Sequence, residues 1–199
     1  DALPISTYMV EGGSSKDFAQ IKRWMWTDPD GFGRLIDLLS EATIEHLIGQ
    51  VRAGAQCLQL FESWAGVLPE PEFERWVMAP TRHIVESVRV ACPQVPIIGF
   101  ARAAGAMVDR YAQGTGVQGV GLDAMVPRTQ ALRLQKTVAV QGNLDPVLLL
   151  AGGKALTDRA RAIVADLADG PHVFNLGHGV LPPTPPEHVE ALLAAVRDT

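Results

Sequence analysis

Cysteine is nearly absent from this chain. Cys57 and Cys92 are the only two among 199 residues, and they stand too far apart to form a metal-type pair. In a cytosolic setting both stay reduced. Basic residues are also in deficit: 17 Lys and Arg against 22 Asp and Glu leave a net charge of −5. That balance argues against a general nucleic-acid surface, which needs excess cations to neutralise phosphates. Every apolar run falls short of the roughly 18 residues that mark a membrane span. Asp1 to Tyr8 has neither the basic start nor the long apolar stretch of a secretory signal. No P-loop and no Gly-x-Gly-x-x-Gly is present, so phosphate and dinucleotide cradles find little support. No His pair has H-x-x-x-H or H-E-x-x-H spacing and no acidic cluster has ligand spacing, so no metal is expected.

What is there is a chain that is 47% hydrophobic and 20% charged, long enough for one domain with a substantial core. A cytoplasmic location is the default expectation, with neither nucleic acid nor membrane as a partner. Along the chain, helices alternate with short strands. The start is read as a loop. Ser14 and Ser15, with Asp17 in the first turn, open a helix carrying Phe18, Ile21 and Met25 at helical spacing. Asp28-Pro29 breaks it and starts another, whose stripe runs through Phe32, Leu35, Ile36, Leu39, Thr43, Leu47 and Val51. Strands are predicted at 57–61, 96–100, 119–122, 137–141 and 172–176. Helices are predicted at 70–92, 104–113, after Pro127, at 154–167 and at 186–196. This alternation implies a parallel sheet with right-handed crossovers. An open doubly wound sheet and part of a (β/α)8 barrel both fit. Polar residues at successive strand C-termini favour the barrel, where such ends share one mouth.

Those strand ends supply Glu62, Ser63, Arg102, Asp123, Asn143, Asp145 and His178. His178 lies in Asn175-Leu176-Gly177-His178-Gly179, where flanking glycines leave room for a bulky ligand; its plainer role is to cap a strand. Ser63 has no nucleophile-elbow glycines and reads as a hydrogen-bond donor. Asp145 is equally an N-cap, and Asn143 equally turn chemistry. His46, His83, His172 and His188 fall on helix patterns or a strand start, where packing and surface roles dominate.

Several of these segments carry a resemblance. Tyr8-Met9-Val10-Glu11-Gly12-Gly13-Ser14-Ser15, followed by Lys22-Arg23-Trp24, resembles the segment after the third strand of the uroporphyrinogen decarboxylase family. Leu58-Gln59-Leu60-Phe61-Glu62-Ser63-Trp64-Ala65-Gly66 resembles its fourth strand and loop. Ile98-Gly99-Phe100-Ala101-Arg102, Val120-Gly121-Leu122-Asp123 and Gln141-Gly142-Asn143-Leu144-Asp145-Pro146 are similar to the next three, and Asn175-Leu176-Gly177-His178-Gly179 to the eighth. The resemblance implies the C-terminal part, about five strands, of a (β/α)8 barrel in a single partial domain over 1–199. It implies a cofactor-free carboxy-lyase of tetrapyrrole biosynthesis, usually a homodimer. Such an enzyme removes carbon dioxide from the four acetate side chains of uroporphyrinogen III to give coproporphyrinogen III. Carried over by position, Tyr8, Ser63 and His178 fall on substrate-binding residues, and Phe61 lies against the macrocycle.

The resemblance also leaves parts unmatched. The family's first three strands, its arginine-rich loop and the aspartate that binds the pyrrole N–H groups have no counterpart, so no catalytic residue is assigned. The chain alone is expected to be inactive and poorly stable, with residues 1–6 foreign to the family. Two alternatives stay open. One is a zinc-dependent corrinoid or thiol methyltransferase of the same superfamily, although neither cysteine lies near the corresponding strand end. The other is a non-catalytic tetrapyrrole-binding module.

Overall fold

The computed structural model describes residues 2–13 and 15–197. They form two compact units, Asp1–Gln118 and Gly119–Thr199. Both are α/β, as the alternating pattern predicts.

The first unit opens with helix α1 (Ala2–Glu11), where the sequence pattern alone predicts a loop. Pro4 does not prevent it, because a proline in the first turn removes an N–H that has no partner within the helix. Ser14 lies outside the described residues. Its neighbour Ser15 does not begin a helix but accepts the Phe18 N–H at 3.0 Å. Helix α2 starts only at Ala19 and runs to Thr27. Phe18 heads it at φ 55°, a left-handed conformation rare for a bulky residue. Its N–H is held by Ser15 and its ring packs 5.0 Å from Trp64, while in the first turn that follows the Ile21 N–H donates to Glu11 Oε1 at 3.0 Å.

Helix α3 (Pro29–Arg52) starts where Asp28-Pro29 predicts. Asp28 accepts the Gly31 N–H at 2.9 Å, and that bond is the main reason its carboxyl sits below the usual range. After α3 comes strand β1 (Leu58–Glu62), then α4 (Glu70–Phe73), a π-helical turn at Glu74–Met78 and α5 (Ala79–Ala91). The predicted single helix at 70–92 is therefore interrupted by one wide turn. That turn buries Trp76, Val77 and Met78 together, with Trp76 4.8 Å from the ring of Phe32. Strand β2 (Ile97–Ala101) runs parallel to β1, pairing Leu60 with Gly99 and Glu62 with Ala101. Helix α6 (Val108–Gly114) completes the unit. The core lies on the helix side of the strands: Leu58 and Leu60 of β1 and Ile97 of β2 meet Ile44 and Leu47 of α3 and Ile84, Val85 and Val88 of α5.

The second unit holds β3 (Gly119–Gly121), α7 (Arg128–Leu134), β4 (Ala139–Gln141), α8 (Pro146–Ala151), α9 (Gly153–Asp166), β5 (His172–Val173) and α10 (Pro186–Arg197). Its strands are parallel, with Val120 beside Val140 and Val140 beside His172. Helix α8, whose start the N-cap reading of Asp145 implies, precedes the helix predicted at 154–167. The predicted strand at 172–176 is shorter, and beyond it Leu176 makes a single bridge to Leu144. Gly152 joins α8 to α9 at φ 69°, and the His188 ring of α10 covers it so closely that a Cβ would collide. His188 Nδ1 also pairs with the Leu149 carbonyl at 3.0 Å, the packing role expected for this histidine.

Candidate active site

Strand β1 sets the site in the first unit. Its side chains alternate, with Leu58, Leu60 and Glu62 buried while Gln59 and Phe61 face the other way. Phe61 is 54% exposed and meets its strand partner Phe100 edge to face at 6.2 Å. It lines a cavity of about 400 Å³ together with Ile5, Leu39, Thr43, His46 and Gln59. Ser63, half-buried, begins the turn that follows β1. Trp64 stands next, its ring 6.3 Å from that of Tyr8 in a T-shaped contact. Tyr8 projects from α1 and is 64% exposed. Tyr8, Trp64, Thr7, Gly13, Ser15 and Phe18 line a second cavity of about 390 Å³. Tyr8 and the Ser63–Trp64 turn are therefore brought together, while Phe61 opens onto a different cavity.

Beneath this turn lies an unusual acid. Glu62 is fully buried. Its Oε1 accepts the Trp64 N–H at 3.0 Å, and its Oε2 has no hydrogen-bond partner. Burial pushes its carboxyl up to about 8, partly offset by the Trp64 N–H. The Tyr111 hydroxyl of α6 is also buried without a partner. Thr81 lies beside it without meeting hydrogen-bond geometry, and donates its own hydrogen to the Val77 carbonyl at 2.7 Å. Burial raises the Tyr111 phenol as well. Glu62 was legible as a strand-end acid. Its burial follows from its being two residues beyond Leu60 on the buried face. Nothing in the sequence marked Tyr111.

The second unit carries the remaining candidates. Asp123 accepts the Met125 N–H at 2.8 Å and is 8% exposed. Asn143 donates to the carbonyls of Asp123 and Val126, and so serves the turn chemistry foreseen as its plainer role. Asp145 caps α8 through the Val147 N–H at 2.8 Å, again the plainer role. His178 is exposed, following Gly177, whose N–H donates to the Leu144 carbonyl at 2.7 Å. A Cβ on Gly177 would run into the backbone of Asp123 and Ala124, whereas one on Gly179 would meet open space. Among the described residues, no group of three or more His, Cys, Asp or Glu stands close enough to hold a metal ion. No described helix is long and apolar enough to cross a membrane.

Residues 3–199 match the profile of the family described as Uroporphyrinogen decarboxylase (URO-D). The chain belongs to the uroporphyrinogen decarboxylase family. A uroporphyrinogen decarboxylase of Rhodospirillum rubrum is 47% identical over 194 residues, covering 97% of this chain and 56% of its own length. That of Gluconobacter oxydans is 50% identical over 197 residues, covering 97% and 56%. That of Novosphingobium aromaticivorans is 48% identical, covering 97% and 57%. The chain thus spans about 56% of the length of these family members. Among solved structures, a methyltransferase from Methanosarcina mazei superposes with a TM-score of 0.75 at 21% identity, covering 90% of this chain and 53% of that one. At that identity the likeness concerns the fold. It agrees with reading the chain as the C-terminal part of a (β/α)8 barrel.

Proposed function

We propose that this chain is the substrate-holding part of a uroporphyrinogen decarboxylase. The observation that carries the reading is the family match over residues 3–199. In this reading the substrate is uroporphyrinogen III, and carbon dioxide leaves its four acetate side chains to give coproporphyrinogen III. The Ser63 hydroxyl, the Tyr8 phenol and the His178 imidazole hold substrate carboxylates. Phe61, exposed on the strand face opposite the core, offers an aromatic surface to the macrocycle. Each carboxylate is lost from a protonated pyrrole ring, so an acid must deliver that proton. A water-poor pocket favours the charge loss that accompanies carbon dioxide release. The reaction uses no cofactor. The working form is a cytoplasmic homodimer by likeness to the family. Because the chain spans 56% of the length of such relatives, turnover by these 199 residues alone is not expected.

The test joins residues 3–199 to the N-terminal portion of the Gluconobacter oxydans relative and supplies uroporphyrinogen under reducing conditions. Release of carbon dioxide with formation of coproporphyrinogen supports the reading. A folded chimera that binds no porphyrinogen and releases no carbon dioxide overturns it.

A further inference from the structure

Glu62 ends β1 on the strand's buried face, the face that Leu58 and Leu60 pack into the apolar core. An aliphatic residue would satisfy that core at no desolvation cost. The acid instead sends Oε1 to the Trp64 N–H, closing a ring of main chain and side chain across Ser63. The strand's own frame anchors the other end, since the Glu62 carbonyl accepts the Arg102 N–H at 2.9 Å. Trp64, so fixed, places its indole between Phe18 at 5.0 Å and Tyr8 at 6.3 Å.

We propose that Glu62 is a positioning residue: its buried carboxyl fixes the backbone of Ser63 and, through the Trp64 indole, the direction in which Tyr8 faces the cavity. One acceptor oxygen thereby orients two groups that the functional reading assigns to substrate carboxylates, and the functional half of the inference rests on that reading. Burial pushes the carboxyl up to about 8 and so favours its neutral form at pH 7, which limits negative charge beneath a site meant for anions.

The test needs no turnover. In the chimera that joins residues 3–199 to the N-terminal portion of the Gluconobacter oxydans relative, NMR follows the Trp64 amide and the ring contact between Tyr8 and Trp64 in wild type, Glu62→Gln and Glu62→Leu. Glu62→Gln keeps an acceptor oxygen and is expected to preserve amide protection and ring contact. Glu62→Leu is expected to speed Trp64 exchange about tenfold or more and to loosen the Tyr8 contact, while the core amides of Ile84 and Val88 stay protected. A Trp64 amide that exchanges freely in a wild type whose Ile84 and Val88 amides stay protected overturns the proposal, so it remains testable if a variant fails to fold. So does a Glu62→Leu protein whose Trp64 and Tyr8 signals are unchanged. Uroporphyrin titration of the same proteins adds the functional arm: Glu62→Gln binds like wild type and Glu62→Leu about tenfold more weakly. Absence of porphyrin binding by all three counts against the functional reading, while the exchange data still decide the positioning role.

Discussion

Asn143 donates its side-chain amide to two carbonyls of one turn, those of Asp123 at 2.9 Å and Val126 at 3.0 Å. The turn after β3 is thereby tied to the end of β4. Asn143→Ala leaves both carbonyls without this donor and is expected to cost about 1–3 kcal/mol. Asn143→Asp replaces a donor with an acceptor facing two carbonyls and should cost at least as much at neutral pH. Urea unfolding of each variant checks both.

Gly99 and Tyr111 form a second such pair. A Cβ on Gly99 would stand 2.6 Å from the Tyr111 hydroxyl, within a fully buried site. Gly99→Ala is expected to destabilise the first unit by about 1–3 kcal/mol, because the ring has nowhere to move. Tyr111→Phe removes a hydroxyl that has no partner, so it should be neutral or stabilising by up to about 1 kcal/mol. The double variant should recover part of the Gly99→Ala loss, which a double-mutant cycle of thermal unfolding would measure.

Glu62 gives a pH dependence of fixed sign. Its folded value, about 8, lies above the ordinary 4.5, so the folded chain holds this proton more tightly than the unfolded chain. Stability from this group is fully present below the ordinary value and falls as pH rises toward about 8. Above that it stays low, since the acid is then ionised in both states. The total loss is of the order of a few kcal/mol. Glu62→Gln carries no proton to lose. It should match wild type near pH 4.5 and exceed it increasingly up to pH 8, and equal slopes for the two proteins would refute the buried neutral acid.

Much of this was open to sequence reading, for identifiable reasons. The β1 motif is legible because alternation places Leu58, Leu60 and Glu62 on one face. The α3 start is legible because Asp28-Pro29 combines a cap with the fixed φ of proline. Helix α1 was missed because its apolar residues Ile5, Tyr8 and Met9 face outward, so no buried stripe signals it. Helix α2 begins late because tertiary contacts of Phe18 with Trp64 override the local serines. The π turn at Glu74–Met78 has no local signature; it exists to seat Trp76 against Phe32. The strand pattern makes the placement of Phe61 on the open face of β1 and of Ser63 just past its end legible, while their substrate roles come from the family resemblance alone. The support that Trp64 gives Tyr8 comes from residues far apart in sequence and needed the fold.

The two glycines around His178 share one role in the sequence and hold different roles in the fold. Gly177 lies against the backbone of Asp123 and Ala124, and its N–H bonds the Leu144 carbonyl at 2.7 Å. A methyl group there must push main chain rather than a flexible side chain, so relief would break the bond to Leu144. Gly177→Ala is expected to cost about 2 kcal/mol or more and to shift the His178 ring resonances. Gly179 has open space around its Cβ position and no left-handed φ. Gly179→Ala should leave stability within about 0.5 kcal/mol of wild type. Its effect on porphyrin affinity then measures how near a ligand comes to the backbone beside His178. A loss of binding without a loss of stability places that ligand against Gly179. Unchanged binding means that His178 reaches its ligand through the ring alone.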